Sequence, residues 1–456
     1  MGTSHLSKEN LIFKTPINED IYIREQKGRF QKIRHCLSIV LMAIFVLTPF
    51  IQHNGTQAIF FDLQQQKLHF FSFTLYPQDL YIVSLAFILA AFLLFYITQF
   101  FGRVWCGFTC PQTIWMLLFN WVERRVEGSH NQSKALDKQP LNLVKIIKKA
   151  IKHLLWSAIS LITSLVFISY FVKVKGLYLD FFTFQSSALV VSWVLFFAIC
   201  TYINAGWIRE KMCQHMCPYS RFQSAMFDQS TKLVSYNQTR GEGRAKRKLT
   251  QEKSAGMGDC VDCKLCVQVC PVGIDIRNGL QYECINCGLC VDACDMTMDK
   301  YNYPKGLISF TSENKQKQSW QRHLGYGVFV TITISMIFIW FSSWKSYEVS
   351  IIRDRQALYR VNHNGEIENV FILKIRNKSN QTNSYQIKVN GLANAKIIDH
   401  SIITIQPGEL QTSSLVVSID HAPAKNKSDI NFNIINLEDN TSLMKSASFY
   451  SDNINY

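Results

Sequence analysis

The chain has 456 residues, 48% hydrophobic and 18% charged, and 48 Lys and Arg against 33 Asp and Glu give a net charge of +15. Long uncharged runs alternate with polar blocks, which excludes a single water-soluble globule, a disordered chain and a disulfide mini-scaffold. The 14 cysteines end at Cys294, so they serve particular regions and do not staple the whole.

In chain order, residues 1–35 read as a cytoplasmic N-terminal segment. They carry Lys8, Lys14, Arg24, Lys27, Arg29, Lys32 and Arg34 and no early apolar core, which is not a signal peptide. Uncharged runs at 36–51, 80–101, 154–172, 188–208 and 324–344 suit helices crossing about 30 Å of hydrocarbon. The first is short and holds Pro49. The apolar run 114–122 is too short to span and reads as an interfacial helix or the end of a bent one. Basic residues alternate between loops: Lys67 is alone in 52–79, 102–153 is rich in them, Lys173 and Lys175 flank the next loop, and 209–322 is rich again. Basic loops stay inside. The N-terminus and 209–322 are therefore expected in the cytoplasm and the C-terminal region outside. The run 240–248, RGEGRAKRK, is then a topology-setting cytoplasmic loop; nucleic-acid binding there has no accompanying recognition motif. Every cysteine falls in a segment expected to be cytoplasmic or within the bilayer, where thiols stay reduced.

Two C-x3-C-P motifs follow the second and fourth spans: Cys106 and Cys110 before Pro111, and Cys213 and Cys217 before Pro218. The unit of two spans and one motif thus occurs twice, as an internal pseudo-repeat. Cysteines four apart share one helical face. Two such pairs brought together would present four thiolates, with Met212, His215 and Met216 as further soft or imidazole donors, a set favouring Cu(I). A dithiol redox pair and plain buried packing, with each proline ending a helix, remain open beside that reading. Cys36 and Cys200 read as apolar packing.

Between the fourth and fifth spans lie Cys260, Cys263, Cys266 and Cys270, followed by Pro271, and then Cys284, Cys287, Cys290 and Cys294. Each set is C-x2-C-x2-C-x3-C, the bacterial ferredoxin spacing. Three cysteines of a tight loop serve one cluster, and the fourth, on the following helix, serves the other. Cys260, Cys263, Cys266 and Cys294 are therefore expected on one [4Fe–4S] centre, and Cys284, Cys287, Cys290 and Cys270 on the other. Slim residues such as Val261 and Gly288 let backbone amides approach the sulfurs. Two zinc sites are the alternative that CxxC pairs allow. Asp295 stands where the generic pattern has proline.

Beyond the fifth span, 350–456 holds short runs rich in Val, Ile, Thr and Tyr: 370–375, 385–389 with an Asn390-Gly391 turn, 396–406, 415–419 and 430–437. About seven strands in such a length suggest an immunoglobulin-like sandwich. The expected organisation is a multi-domain membrane protein. It comprises the 1–35 segment, a four-span α-helical domain at 36–218, a cytoplasmic ferredoxin-type domain at 219–321, a fifth transmembrane helix at 322–345 and a periplasmic all-β domain at 346–456.

The stretches WCGFTCPQTIW (105–115), CQHMCPYSRFQ (213–223), CPVGIDIRNGLQYECINCGLC (270–290) and RDRQALYR (353–360) resemble the CcoG family of cytochrome c oxidase accessory proteins, also called FixG or RdxA. Asp295 agrees with that family's pattern. The resemblance implies a bacterial inner-membrane protein, needed to assemble a cbb-type haem–copper oxidase, that reduces Cu(II) to Cu(I) for copper delivery. The leading expectation is thus an oxidoreductase, a cupric reductase, with two [4Fe–4S] clusters. Cys106, Cys110, Cys213 and Cys217 would bind copper, helped by His215 and Met216. Its partners would be oxidase assembly factors or a copper chaperone, and an electron donor. A quinone-linked electron conduit and a non-enzymatic assembly scaffold are the alternatives. Gly241 and Gly243 lack the third glycine and the strand of a nicotinamide or flavin fingerprint.

Overall fold

The computed structural model describes residues 21–451 apart from 54, 229, 252, 313–319, 380, 393, 399–401 and 421–425. Lys8 and Lys14 of the basic N-terminal segment, and part of the expected 396–406 strand, lie outside the described residues. The chain divides into two compact units, Met1–Ile337 and Phe338–Tyr456.

Among the described residues, five helices are long and apolar enough to cross a membrane: Arg29–Phe50, Pro77–Phe101, Leu143–Ile168, Ala188–Ile208 and Trp320–Ser343. Two start well before their apolar runs. The first begins at Arg29 because Asp292, far along the chain, accepts hydrogen bonds from the Phe30 and Gln31 N–H groups at 3.2 and 3.0 Å. These are helix-start donors that otherwise lack partners. The third begins at Leu143, with Asn142 capping it through the Lys145 N–H at 2.8 Å.

The lysines of that early stretch are matched across a separate helix, Pro111–Glu127, which contains the short apolar run 114–122. Proline at its first position and Gly128, at φ 97°, bound it. It buries Ile114, Phe119 and Val122 and turns Glu123 and Glu127 toward Lys149 and Lys152. Trp156 packs on Phe119, with ring centroids 5.4 Å apart, and donates to its carbonyl at 3.2 Å. The fourth span loosens into a π-turn at Ile203–Ile208, and a second π-turn follows at Met212–Met216. Such wide turns concentrate at functional sites. Cys36 and Cys200 lie exposed on their spans.

The segment between the fourth and fifth spans is organised by an antiparallel strand pair, Leu233–Tyr236 with Ile308–Thr311, and by helices Leu265–Gln268 and Leu289–Lys300.

The second unit is an all-antiparallel immunoglobulin-like sandwich. In one sheet Ile367–Asn377 pairs with Leu410–Ile419 on one side and Tyr347–Arg353 on the other; in the second, Asn383–Asn390 and Lys427–Asn436 pair centrally. Residues of Ile367–Asn377 alternate strictly between buried and half-buried, as a strand covered on one face requires. Phe371, Leu373, Leu415, Phe432 and Phe449 fill the space between sheets. Against about seven expected strands, the described residues hold nine, two of them only two residues long. The expected 396–406 strand is represented by Lys396–Ile397 and Ile402–Ile405, which join different sheets.

Candidate iron–sulfur and thiol site

The two C-x3-C-P motifs are built alike. Cys110 is the residue before the Pro111–Glu127 helix and Cys217 the residue before Pro218–Ala225, each with proline at the first helical position. Cys106 lies one turn back on the short helix Val104–Phe108, and Cys213 on the second π-turn. The structure brings all four together. Cys213 is pushed up to about 12 by burial and by the neighbouring Cys110, Cys106 and Cys217. Cys106 is pushed up to about 11, mainly by burial, against the pull of Arg103. Arg103 is itself buried, donating to the Tyr282 carbonyl at 2.7 Å and to Gln223 Oε1 at 3.3 Å. The Cys106 thiol donates to the same Gln223 oxygen at 3.2 Å. His215 and Met216 are exposed. Among the described residues, no three His, Cys, Asp or Glu side chains stand close enough to hold a single metal ion. A cavity of about 410 Å³ opens beside Cys213, lined also by Glu123, His153, Trp207 and Glu210.

The eight remaining cysteines gather around two small apolar voids. Cys260, Cys263, Cys266 and Cys294 line one; Cys270, Cys284, Cys287 and Cys290 line the other, with Cys266 between them. The two loops match residue for residue. Asp262 and Asn286 have φ of 46° and 50°, and Lys264 and Gly288 have 56° and 73°. These left-handed positions make the tight turn, so Lys264 bears in the first loop the conformation that glycine bears in the second. Cys294 sits on the Leu289–Lys300 helix as expected, but Cys270 lies just past the end of Leu265–Gln268, because Pro271 disfavours helix at the residue before it. Asp295 has a role that proline could not fill: its carboxylate accepts from the Gly306 N–H at 2.9 Å.

Burial pushes the Cys266 and Cys294 thiols up to about 12 and Cys284 to about 11, with neighbouring cysteines adding to the rise in Cys266 and Cys294; Cys270 and Cys290 are pushed up by burial and neighbouring cysteines as well. Four buried thiols cannot ionise side by side without a compensating cation. A soft, positively charged metal core supplies one. Four sulfurs around a void, with no three grouped closely enough for a single ion among the described residues, fit a [4Fe–4S] cluster.

Close approach joins the second cysteine loop to the first C-x3-C-P motif. A Cβ on Gly107 would stand 2.6 Å from the Ile285 carbonyl oxygen and 2.9 Å from the Cys287 Cα. Buried Arg34 donates to the Gly107 carbonyl at 2.8 Å, and Asn286 donates to the Phe101 carbonyl at 3.3 Å. Sequence reasoning missed Arg34, Arg103, Gln223 and Asp292. Their partners lie 73 or more residues away, except for Gln31 beside Arg34. Only the nearness of Arg103 to the WCGFTCP motif hinted at a role.

Residues 208–313 match a 4Fe-4S dicluster domain family, 82–128 a 4Fe-4S binding domain family, and 337–452 the IG-like fold at the C-terminal of FixG. The nitrogen fixation protein FixG of Rhizobium meliloti is 32% identical, over 82% of this chain and 79% of its own. Protein RdxA of Cereibacter sphaeroides is 34% identical, over 82% of each chain. The crystal structure of a FixG-related protein from Vibrio parahaemolyticus matches 24% of this chain and 99% of its own, at 26% identity and a TM-score of 0.23. By its identity to FixG and RdxA and by its paired cysteine motifs, the chain belongs to the FixG family, as a multi-pass membrane protein whose [4Fe–4S] domains carry electrons.

Proposed function

We propose that the protein is a membrane cupric reductase serving assembly of a cbb-type cytochrome c oxidase. Cys260, Cys263, Cys266 and Cys294 hold one cluster, and Cys270, Cys284, Cys287 and Cys290 the other. When bound, the clusters supply one-electron storage and relay. Cu(II), the substrate, enters by the cavity beside Cys213 and is taken by Cys106, Cys110, Cys213 and Cys217, with His215 and Met216 at the exposed rim. Gaining one electron, it leaves as Cu(I), the state that thiolates favour. The carrying observation is the packing of Gly107 onto the Ile285–Cys287 backbone, which sets the copper thiols against the second cluster's ligands. Arg103 offsets part of the negative charge on Cys106 as the thiol ionises.

The proposal places the protein in the bacterial inner membrane, with the N-terminus and clusters in the cytoplasm and the sandwich in the periplasm. The basic loops on one side and the lack of cysteine after Cys294 support this. The partner receiving Cu(I) would be an assembly factor or copper chaperone.

Anaerobically reconstituted, dithionite-reduced protein should turn Cu(II) over, and Cys→Ser changes at 106, 110, 213 and 217 should abolish this while sparing iron content. Variants that bind and reduce copper normally would sink the site. One observation favours a second reading, an electron conduit between quinone and a partner without copper chemistry: no single-ion ligand set stands ready among the described residues. Quinol-driven cluster reduction with no bound copper would select it.

A further inference from the structure

The basic run 240–248 is built into the entrance of the first cysteine loop. The Gly258 N–H donates to the Gly243 carbonyl at 3.2 Å and the Asp259 N–H to the Arg240 carbonyl at 3.0 Å, so the run lies alongside the segment that enters Cys260. Arg240 and Lys253 both pair with Asp259, at 2.5 and 2.7 Å. Arg247 points inward: it donates to the Gly258 carbonyl at 2.6 Å, lies 5.2 Å from the Tyr303 ring centroid, and its carbonyl accepts from the Tyr301 hydroxyl at 2.8 Å. Pinning Arg247 leaves its neighbours Lys246 and Lys248 exposed, together with Arg244. Lys264, beside Cys263, is exposed as well.

Cys263 is the exposed one among the eight cysteines of the two loops; the other seven are buried or half-buried. Asp262, next to it, is paired with Arg277 at 2.6 Å. A charge run that only sets membrane orientation needs no anchoring onto a cysteine loop. The second loop is occupied by its contact with Gly107, whereas the first presents its thiol outward beside the exposed Lys264.

We propose that this basic face is where electrons enter, and that its partner is a small soluble electron-transfer protein with an acidic surface around its own redox centre. The inference rests on the reading that Cys260, Cys263, Cys266 and Cys294 hold a cluster. One electron passes per encounter: the partner is oxidised by one unit, the cluster reduced by one, and no bond or proton moves. The two loops then act in series, the first facing the donor and the second facing the C-x3-C-P thiols. Charge complementarity of this kind acts mainly on the association rate, raising it by about 10–1,000-fold at low salt.

The test uses the full-length protein, anaerobically reconstituted with both clusters oxidised, mixed in stopped flow with a reduced, desalted acidic [2Fe–2S] ferredoxin. The second-order rate of cluster bleaching is expected to fall at least about tenfold as salt shortens the Debye length from about 30 Å toward about 3 Å. The combined change Arg244→Glu, Lys246→Glu and Lys248→Glu should lower the low-salt rate by about 10–100-fold and converge with wild type at high salt. The milder set of three changes to Gln should fall between. Bleaching by dithionite should stay the same in all of them, which shows that the clusters are loaded. A ferredoxin rate indifferent to salt and to the variants overturns the proposal, as does a wild type that dithionite bleaches and the ferredoxin does not. Failure of the copper reading is separate: dithionite-reduced protein would leave Cu(II) unreduced while the ferredoxin results stood.

Discussion

Gly107→Ala tests the junction between the membrane helices and the cysteine loops. The added Cβ would meet the Ile285 oxygen at 2.6 Å, the Cys287 Cα at 2.9 Å and the Cys287 nitrogen at 3.1 Å, all of them backbone atoms. A close carbon–oxygen contact is about 3.3–3.6 Å, so the two segments must separate by roughly 0.7 Å. No rotamer change can absorb that. Overpacking of this kind costs about 1–3 kcal/mol. Two routes relieve it. If the loop moves, Cys284 and Cys287 move with it. If the Val104–Phe108 helix moves, the Arg34 bond to the Gly107 carbonyl is lost, and a bond to a charged donor contributes about 1.5–3 kcal/mol. Iron quantitation and EPR on anaerobic protein, with a thermal melt in detergent, read the outcome. The variant should lose the cluster at Cys270, Cys284, Cys287 and Cys290 first, so that iron content falls toward half, and it should melt lower. Gly325→Ala on the fifth span is the control, because nothing lies within 4 Å of its added carbon and alanine suits a helix better than glycine. Full iron loading and an unchanged melt in Gly107→Ala would refute the close packing.

Glu127 is buried, with Lys152 at 2.6 Å, Lys149 at 2.8 Å and the Ser133 hydroxyl at 2.5 Å. Glu127→Gln leaves two cations facing a neutral group and should cost about 3 kcal/mol, the low end for breaking a buried pair, since Asp137 and Glu123 still serve the lysines; an unchanged melt would contradict this. Burial raises the Glu127 pKa, but hydrogen bonds from Lys149, Lys152 and Ser133 outweigh it and hold the carboxyl below its usual range. A lowered folded value means the stabilisation is complete above the unfolded value of about 4.3 and is lost as pH falls through the folded one. Glu127's share of the melting temperature should therefore be flat from about pH 8 to 5 and fall below about 4, a fall that Glu127→Gln should lack. Asp292→Ala removes the acceptor for two helix-start N–H groups and should cost about 0.5–2 kcal/mol, with faster amide exchange at Phe30 and Gln31 as the local readout.

What was legible in the sequence was whatever local spacing encodes. The C-x2-C-x2-C-x3-C motifs and the uncharged runs declare themselves within a dozen or two residues, and short runs rich in Val, Ile, Thr and Tyr marked five strand regions of the sandwich. What was not legible depends on partners far along the chain. Hydropathy begins the first span at 36 because Arg29, Lys32 and Arg34 look like a solvated tail. The helix begins at Arg29 because Asp292 receives its free N–H groups and Arg34 has the Gly107 carbonyl to bond. Hydropathy likewise begins the third span at 154, since Lys149 and Lys152 read as loop until Glu123, Glu127 and Asp137 are in place. The strand Tyr347–Arg353 alternates but follows the fifth span so closely that it reads as its flank, and Ser442–Tyr450 is an edge strand that buries only Phe449, which leaves its alternation faint. The gathering of Cys106, Cys110, Cys213 and Cys217 was an inference from repetition; no spacing rule dictates that two motifs a hundred residues apart should meet.

The contacts that hold the cysteine loops to the membrane helices converge on one short stretch. Ile285, Asn286, Cys287 and Asp292 all lie within eight residues, and they meet respectively Gly107, the Phe101 carbonyl, Gly107 again, and the start of the first span. The Gly107 approach is backbone against backbone and cannot adjust by turning a side chain, while Asn286 and Asp292 bring side chains to backbone partners. Among the described residues no backbone–backbone hydrogen bond joins the first cysteine loop to the spans; its ties run to the polar 240–248 segment and, through the Arg24 N–H on the Gln268 carbonyl at 2.9 Å, to the stretch before the first span. This asymmetry has a consequence for electron transfer. The distance from the second loop to Cys106 is over-determined by three separate segments of chain, whereas the first loop keeps a face free for a transient partner. A relay needs both: a fixed gap where electrons leave for a bound substrate, and an open face where a donor comes and goes.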